Sequence, residues 1–199
     1  MEKLLNLAAK EVDQAEVYHE SDTSDDIGFN DGKLEKADTS MSAGLALRII
    51  KNGKMGLAHT RNLLDPQALI KQALLSAENG VEVGLRFPKT THVPIMNAYS
   101  PAIEKINKKD IIAEGRRIID YIRSKTEGQI NLGFDYSTSQ TGIMNSAGTS
   151  LSQKSSYFSA FAMMIFPGTG SGLFKFNLGM DYNTISKEDL DELIELYIL

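Results

Sequence analysis

Two apolar runs joined by Asn52-Gly53 give the clearest pattern in the chain, within residues 44–60, GLALRIIKNGKMGLAHT. An Asn-Gly pair between β-prone runs predicts a two-residue type I′ turn, because both central residues of that turn need a positive φ. The turn sets the register, which starts with Lys51 opposite Lys54 and runs back along both strands. The sequence therefore predicts a long antiparallel hairpin.

The two faces of this hairpin differ in side-chain size. Because side chains alternate across a strand, one face combines large residues on the first strand with small ones on the second, namely Leu45, Leu47 and Ile49 with Gly56 and Ala58. This combination suits the docking of a helix. The opposite face carries apolar residues beside Arg48 and His59, so we expect another element or a partner to cover part of it.

Apolar residues at helical spacing predict four helices. The first covers about a dozen residues from Met1. The second begins at Asp65 as N-cap, with Pro66 at its first position, and Gly80 is placed to stop it. The third begins after Asn107, and its apolar stripe is Ile111, Gly115, Ile118, Ile119 and Ile122. The fourth opens with the capping-box pattern from Ser186 to Asp189 and presents Leu190, Leu193, Ile194 and Tyr197.

Short β-prone runs fill the remainder of both halves, at 15–20, 26–30 and 33–37, and again at 130–139, 141–145, 149–153, 157–166 and 172–181. We predict an α+β fold with mostly antiparallel sheet packed against about four helices. Pro88, Pro94 and Pro101 interrupt the pattern between the halves, which indicates an arm or linker.

The predicted domains are a first α+β half over residues 1–80, an arm over 81–106 and a second half over 107–199. The halves match element for element, with turns at Asn30-Asp31-Gly32 and at 145–148 in corresponding places. This match leaves internal duplication and coincidence both open.

Composition narrows the function classes. A net charge of −5 argues against direct nucleic-acid binding, which usually needs a concentrated basic face, and does not favour membranes. The absence of cysteine excludes disulfides, thiolate metal sites and cysteine nucleophiles. The N-terminus lacks a signal-peptide core, and no run reaches the roughly 18 apolar residues that span a bilayer. We therefore expect a cytoplasmic protein.

The histidines do not form a recognisable metal motif. His19-Glu20 begins like a zinc-peptidase helix but has no second histidine one turn later, so a surface or edge-strand histidine is the better interpretation. His59 lies near a strand end and His92 in the proline-rich arm. A metal site would require these scattered residues to converge in space.

Other candidate sites also favour structural interpretations. The glycine-rich loop over residues 167–172 leads from strand into strand, whereas phosphate-binding loops lead into a helix. The acidic residues Asp22 and Ser24-Asp25-Asp26 lack calcium-loop spacing and are interpreted as a solvated loop. The basic residues around the first hairpin, Arg48, Lys51, Lys54 and Arg61, are typical of an exposed hairpin tip.

Several of these segments together resemble the N-terminal half of the TldD/PmbA family. The order is Ala15-Glu16-Val17-Tyr18, then a DGKLE turn from Asp31, the 44–60 hairpin, and a helix opening with Asp65-Pro66. The positions that match the family pattern are Gly44, Arg48, Gly53, Gly56, Ala58, Thr60, Asn145 and Gly148, whereas Ala46 stands where the family often has glycine. In sequence, these segments are closer to the PmbA (TldE) branch than to TldD.

The resemblance implies a zinc metallopeptidase system in which TldD-like and PmbA-like chains form homo- or hetero-oligomers and degrade or mature small peptides. The family has also been described as a modulator of DNA gyrase. Its zinc ligands lie on an HExxxH helix and at a later cysteine, in the half that follows this region, and this chain contains neither. The resemblance therefore implies no catalytic residue, metal ligand or cofactor in this chain and leaves the substrate-binding residues unknown.

Three hypotheses follow from these observations. In the first, the chain is the scaffold and substrate-chamber part of a TldD/PmbA-type metallopeptidase, truncated before the metal-binding C-terminal domain and inactive alone. In the second, it is a non-catalytic module that binds peptides or a partner by strand addition at a sheet edge. In the third, it is a gyrase-associated regulator.

Overall fold

The computed structural model describes residues 1–90, 93–94 and 96–199, in which four α-helices accompany one six-stranded antiparallel sheet. The elements are α1 (Glu2–Ala8), β1 (Gln14–Asn30), β2 (Lys33–Lys51), β3 (Lys54–Thr60), α2 (Pro66–Glu78), α3 (Lys108–Arg123), β4 (Gln129–Asn145), β5 (Ser150–Ile165), β6 (Gly172–Gly179) and α4 (Lys187–Ile198), with a short 3-10 helix at Ile103–Lys105. The strand order is β3-β2-β1-β4-β5-β6, so β3 and β6 are the edges. The predicted α+β class is confirmed.

The β2–β3 hairpin has the predicted turn and register. Asn52 and Gly53 adopt φ values of 50° and 75°, as a type I′ turn requires. The strands pair from Lys51 opposite Lys54 to Leu45 opposite Thr60. A second tight turn joins β1 to β2, where Asp31 and Gly32 have φ values of 46° and 68°.

The strands are longer than the sequence predicts. β1 and β2 run without a break through the predicted gaps, and so do β4 and β5. The prediction of a solvated loop at residues 21–26 is therefore wrong. Its acidic side chains find partners along the ladder, since Asp26 pairs with Lys36 at 2.6 Å and Asp25 accepts from Thr39 at 2.5 Å. Tertiary partners thus override the low β-propensity of aspartate.

The helix caps follow the sequence signals. The side chains of Asp65, Asn107 and Ser186 each accept a backbone N–H bond at the start of a helix. The predicted stripe of α3 and the residues Leu190, Leu193 and Ile194 of α4 are buried. Only the length of α1 differs clearly from the prediction, because the helix ends at Ala8 before the chain turns into β1.

One of two compact units comprises residues 1–22, 42–97 and 139–154 and is called unit 1. Its core contains Leu4, Leu5, Ala8, Ala15, Val17, Leu47, Ile49, Ala58, Leu69, Ile70, Ala73 and Ala77. Helix α2 packs on the hairpin face that carries the small residues Gly56 and Ala58, as predicted. A Cβ on Gly56 would lie 2.2 Å from the Ala73 carbonyl oxygen, so only glycine permits this approach.

The other compact unit, unit 2, comprises residues 23–41, 98–138 and 155–199. Helices α3 and α4 contribute to its core together with aromatic residues of β1, β4 and β5, namely Phe29, Phe134, Tyr136 and Phe158. A Cβ on Gly115 would lie 2.4 Å from the Phe29 ring, which explains the glycine in the apolar stripe of α3.

Some larger predictions stay open. The element order reads helix, three strands, helix in each half of the chain, but whether this is a duplication stays a prediction. The division into residues 1–80, 81–106 and 107–199 also stays a prediction, and each compact unit draws on three separate segments. Among the helices that the described residues form, none is both long and apolar enough to cross a bilayer.

Candidate functional site

The proline-containing arm bonds to the outer edge of β3 and then reaches the second face of the β2–β3 hairpin, where the Phe87 ring lies beside Arg48. The Met55 N–H donates to the Val81 carbonyl at 3.0 Å, and the Val83 N–H donates to the Gly53 carbonyl at 2.8 Å. The expectation that another element covers part of this face is confirmed. We call this face of unit 1, together with residues 81–90, 93–94 and 96–97 of the arm, the arm-covered face.

Arg48 anchors the arm at Phe87. Its guanidinium forms an ion pair with the Glu16 carboxylate on β1 and lies 5.0 Å from the centre of the Phe87 ring. Phe87 is buried, and its N–H donates to the Gln14 side chain at 2.7 Å. The Glu16 side chain is only 8% exposed, so its charge depends on Arg48 for compensation.

Asn145 clasps the next residue of the arm. Its Nδ2 donates to the Pro88 carbonyl at 3.0 Å, and its Oδ1 accepts from the N–H groups of Ala147 and Thr149. The Thr149 hydroxyl also donates to the Pro88 carbonyl at 2.7 Å. The turn at 145–148, closed by Gly148 with φ 99°, therefore fixes the position of the arm.

A polar groove of about 270 Å³ lies at one end of the arm-covered face. Tyr18, Glu20, His59 and Arg61 line it together with residues 42–46, all of which are small except Leu45. The Tyr18 hydroxyl donates to Glu20 at 3.4 Å. Burial and the neighbouring Glu20 charge raise the pKa of Tyr18 above its ordinary value, so its hydroxyl stays a neutral donor near pH 7.

An apolar groove of about 430 Å³ adjoins it on the other side of Tyr18. Its described lining includes Val93, Pro94 and Met96 of the arm with Ile143 and Leu151 of the sheet. Tyr18 therefore contributes to both grooves. Together they offer charged and hydrogen-bonding groups beside a place for apolar side chains, which is the chemistry that holds an extended peptide.

The described residues do not fit a zinc site. Among them, no three His, Cys, Asp or Glu side chains converge to hold a metal ion. His59 is exposed in the polar groove, and His92 lies outside the described residues. His19 is half-buried on β1, an internal strand, so its predicted edge-strand position is wrong.

The other predicted candidates are occupied by structural contacts. Asp22 accepts from Ser139 at 2.5 Å, and Asp25 pairs with Lys108 at 2.9 Å. The Lys54 ammonium donates to the Glu78 carbonyl at 3.1 Å. The glycine-rich loop connects β5 to β6, as predicted, and does not precede a helix.

The residues that match the family pattern on the β2–β3 hairpin take part in turns, packing and local hydrogen bonds. Gly53 forms the turn, Gly56 admits α2, and Ala58 is buried beneath that helix. The Thr60 hydroxyl accepts from the Asn62 N–H at 3.0 Å. Gly44 lines the polar groove, and a Cβ there would meet the Thr60 carbonyl oxygen at 3.5 Å.

Sequence reasoning did not identify the groove residues Tyr18 and Glu20 or the anchor Phe87. One signal was available, because Glu16, Tyr18 and Glu20 alternate with Val17 on a strand and so share its second face. Phe87 gave no comparable signal, because an isolated aromatic residue in an irregular segment has no periodicity.

Comparison with known proteins gives one family match over part of the chain and several solved structures with the same fold. Residues 15–77 match the model described as PmbA/TldA metallopeptidase domain 1. The structure of TldE from Thermococcus kodakarensis covers 100% of this chain with a TM-score of 0.83 and 17% identity, over 46% of its own length. No curated protein sequence matches the chain.

Two further solved structures share the fold, and both are named as candidate modulators of DNA gyrase. The Thermotoga maritima protein covers 99% of this chain with a TM-score of 0.83 and 16% identity, over 46% of its own length. The Bacteroides thetaiotaomicron protein covers 99% with a TM-score of 0.82 and 16% identity, over 48% of its length. The chain therefore spans about half the length of these relatives.

Proposed function

We propose that the chain belongs to the PmbA/TldD family, whose domain 1 model matches residues 15–77, and that it is the substrate-holding scaffold of a metallopeptidase of this type. In this proposal the arm-covered face binds small extended peptides for degradation or maturation. Bond cleavage and zinc are supplied by polypeptide that the chain does not contain. The chain alone therefore binds peptides without cleaving them.

The observation that supports this function is the position of Tyr18 between the polar and the apolar groove. A bound peptide can donate to Glu20 or accept from Arg61 in the first groove and place an apolar side chain beside Met96 in the second. The clasp at Pro88 and the anchor at Phe87 hold the arm before any ligand arrives. Such preorganisation lowers the entropy cost of binding.

The described contacts favour this function over strand addition at β3. The outward N–H groups of Met55 and Leu57 already donate to the Val81 carbonyl and the Ser76 hydroxyl. A peptide strand would have to displace both partners. The gyrase hypothesis rests on the names of relatives, and no described contact of this chain favours it.

Peptide binding is tested with the purified chain and a library of short unstructured peptides carrying apolar residues, by fluorescence anisotropy. Tyr18→Ala should weaken binding about 10-fold, because truncating a central aromatic contact usually costs more than 1 kcal/mol. Leu75→Ala is the matched control, since Leu75 is exposed on α2 and lines neither groove. Equal affinity of the wild type and Tyr18→Ala would overturn the proposal.

Elemental analysis tests the second part of the proposal. The purified chain should hold no stoichiometric zinc, because its described residues offer no converging ligand set. One tightly bound zinc per chain would contradict this assignment, and peptide cleavage by the chain alone would contradict a purely scaffolding role.

A further inference from the structure

The polar groove holds a positive charge that no described residue compensates. Arg61 and His59 line the groove at the end of β3, and both are exposed. Among the described residues, no carboxylate forms an ion pair with either side chain. Glu20 lines the same groove, and its carboxylate accepts from the Tyr18 hydroxyl. The Arg61 guanidinium is therefore available to an anionic ligand.

The end of β3 leaves a backbone donor in the same groove. The two-residue turn fixes which groups of β2 point towards β3, because hydrogen-bonded and non-bonded pairs alternate from it. Leu45 and Thr60 form the last hydrogen-bonded pair. The next would join Ala43 to Asn62, but the Asn62 N–H donates to the Thr60 hydroxyl. The Ala43 N–H therefore has no partner among the described residues, and Ala43 lines the polar groove.

The order of the strands places these donors at one end of the two grooves. The sheet runs in the order β3-β2-β1-β4-β5. The donors lie at the end of β3 and on β2, whereas Tyr18 and Glu20 lie on β1. The apolar groove continues over β4 and β5, through Ile143 and Leu151. A peptide that crosses the strands therefore meets the donors, then the Glu20 carboxylate, and then the apolar groove.

We propose that the polar groove binds the C-terminal carboxylate of a peptide. The Arg61 guanidinium and the Ala43 N–H are donors, and a carboxylate offers only acceptors. The Glu20 carboxylate accepts from a main-chain N–H of an earlier peptide residue. A peptide in the reverse direction would place its terminal ammonium beside Arg61, where like charges repel. This inference rests on the proposed function, since it names the end of the peptide that the arm-covered face recognises.

The spacing of the strands sets where the apolar residue of the peptide lies. Neighbouring strands are about 4.8 Å apart, so β3 and β4 are separated by about 14 Å. An extended peptide advances about 3.3 Å per residue and covers this distance in about four residues. The preferred ligand is therefore an unstructured peptide with a free C-terminus and an apolar residue about four positions before its last residue.

Fluorescence anisotropy with labelled hexapeptides tests the inference. Each peptide contains alanine and serine with leucine at its second position, carries the label on its N-terminus, and ends in a free acid, in an amide, or in an amidated glutamate. Amidation should weaken binding about 10-fold, because it removes the charge that Arg61 binds. The peptide with the amidated glutamate should bind as weakly as the other amide, which distinguishes a terminal carboxylate from an acidic side chain.

The outcomes separate this inference from the proposed function. Equal binding of the acid and the amide would overturn the inference and leave the proposed function standing, and so would acid-like binding of the peptide with the amidated glutamate. No binding of any peptide would overturn both. Tyr18→Ala, which tests the proposed function, should weaken the acid and the amide alike.

Arg61→Gln assigns the preference to this groove. In this variant the acid and the amide should differ less than about 3-fold, because the amide never used the charge. Arg116→Gln is the matched control and should keep the full difference, since Arg116 is exposed on α3 and lines neither groove. In the wild type, added salt should weaken the acid more than the amide, because it screens an exposed charge. A preference for the acid that persists in Arg61→Gln would contradict the assignment.

Discussion

The two edges of the sheet are built differently although each is the last strand of a hairpin. β3 follows a two-residue turn and carries Gly56 and Ala58, so helix α2 can lie directly on it. β6 follows a six-residue connection over 166–171 and carries Phe174 and Phe176 exposed to solvent. The outward N–H groups of Met55 and Leu57 on β3 are bonded within the chain, whereas those of Phe174, Phe176 and Leu178 on β6 have no partner among the described residues.

This difference shows what protects the backbone groups of an edge strand from pairing with another strand. Small side chains on β3 allow a helix to approach until Ser76 reaches the Leu57 N–H at 3.2 Å. The arm then closes the remaining edge at Met55. β6 contacts α4 on one face through Lys175, and that contact leaves its backbone edge uncovered. Protection therefore comes from neighbours along the edge and not from the hairpin itself.

The most disruptive change should be Gly56→Val, which would disturb the contact between helix α2 and the protected strand β3. The new Cβ would lie 2.2 Å from the Ala73 carbonyl oxygen and 2.8 Å from the Ala77 Cβ, so α2 must move away. We expect a loss of at least about 3 kcal/mol in the free energy of unfolding, measured in urea. Gly44→Ala on β2 is the control and should stay within about 0.5 kcal/mol, since its Cβ would make only an ordinary contact at 3.5 Å.

Asn145→Ala should have the next largest effect, because it releases the arm that closes β3. The variant leaves the N–H groups of Ala147 and Thr149 and the Pro88 carbonyl without the Asn145 side chain. We expect a loss of about 2 kcal/mol, since Asn145 is buried. Trypsin should then cleave faster after Arg86 or Lys89, whereas the exposed control Ser152→Ala should resemble the wild type. An unchanged cleavage rate would show that other contacts hold the arm.

Ser76→Ala should make the β3 edge more like β6. It removes the hydroxyl that accepts from the Leu57 N–H, at a cost of about 1 kcal/mol. Amide exchange should become faster at Leu57 but not at Ala58, whose N–H faces β2 in the ladder. Ser76→Thr keeps the hydroxyl and should restore slow exchange. Fast exchange at Leu57 in the wild type would contradict the protection that we assign to this edge.

The smallest expected effect concerns the acid stability of unit 2, which carries the open edge. Hydrogen bonds from Arg117 hold the pKa of Glu114 below its ordinary value of 4.5, against the opposing effect of burial. A carboxyl group with a lowered folded pKa stabilises the protein above its unfolded pKa and loses this contribution as pH falls through the folded pKa.

Glu114→Gln should therefore lower the free energy of unfolding near pH 7 by less than about 1 kcal/mol, because solvent screens this partly exposed pair. The difference between variant and wild type should shrink as the pH falls below 4.5. Urea unfolding at a series of pH values measures it. A difference that does not depend on pH would indicate that packing, and not charge, accounts for the effect of Glu114.

Local signals in the sequence determined much of the secondary structure. Asn52-Gly53 was sufficient to predict the hairpin register, because the φ values of a type I′ turn leave few alternatives. Asp65, Asn107 and Ser186 marked three helix starts, because a cap acts on N–H groups within three residues of itself. The alternation of small and large residues also predicted which face of the hairpin receives a helix.

Only the tertiary structure decided the strand lengths and the candidate site. Residues 21–26 are strand because Asp22 and Asp25 find partners far along the chain, and such pairing leaves no local periodicity. The apolar groove depends likewise on where the arm lies, which Phe87 and Asn145 decide through contacts 39 and 57 residues away in sequence, at Arg48 and Pro88. Sequence spacing encodes contacts within a turn of helix or a hairpin, whereas contacts between distant segments exist only once the chain has folded.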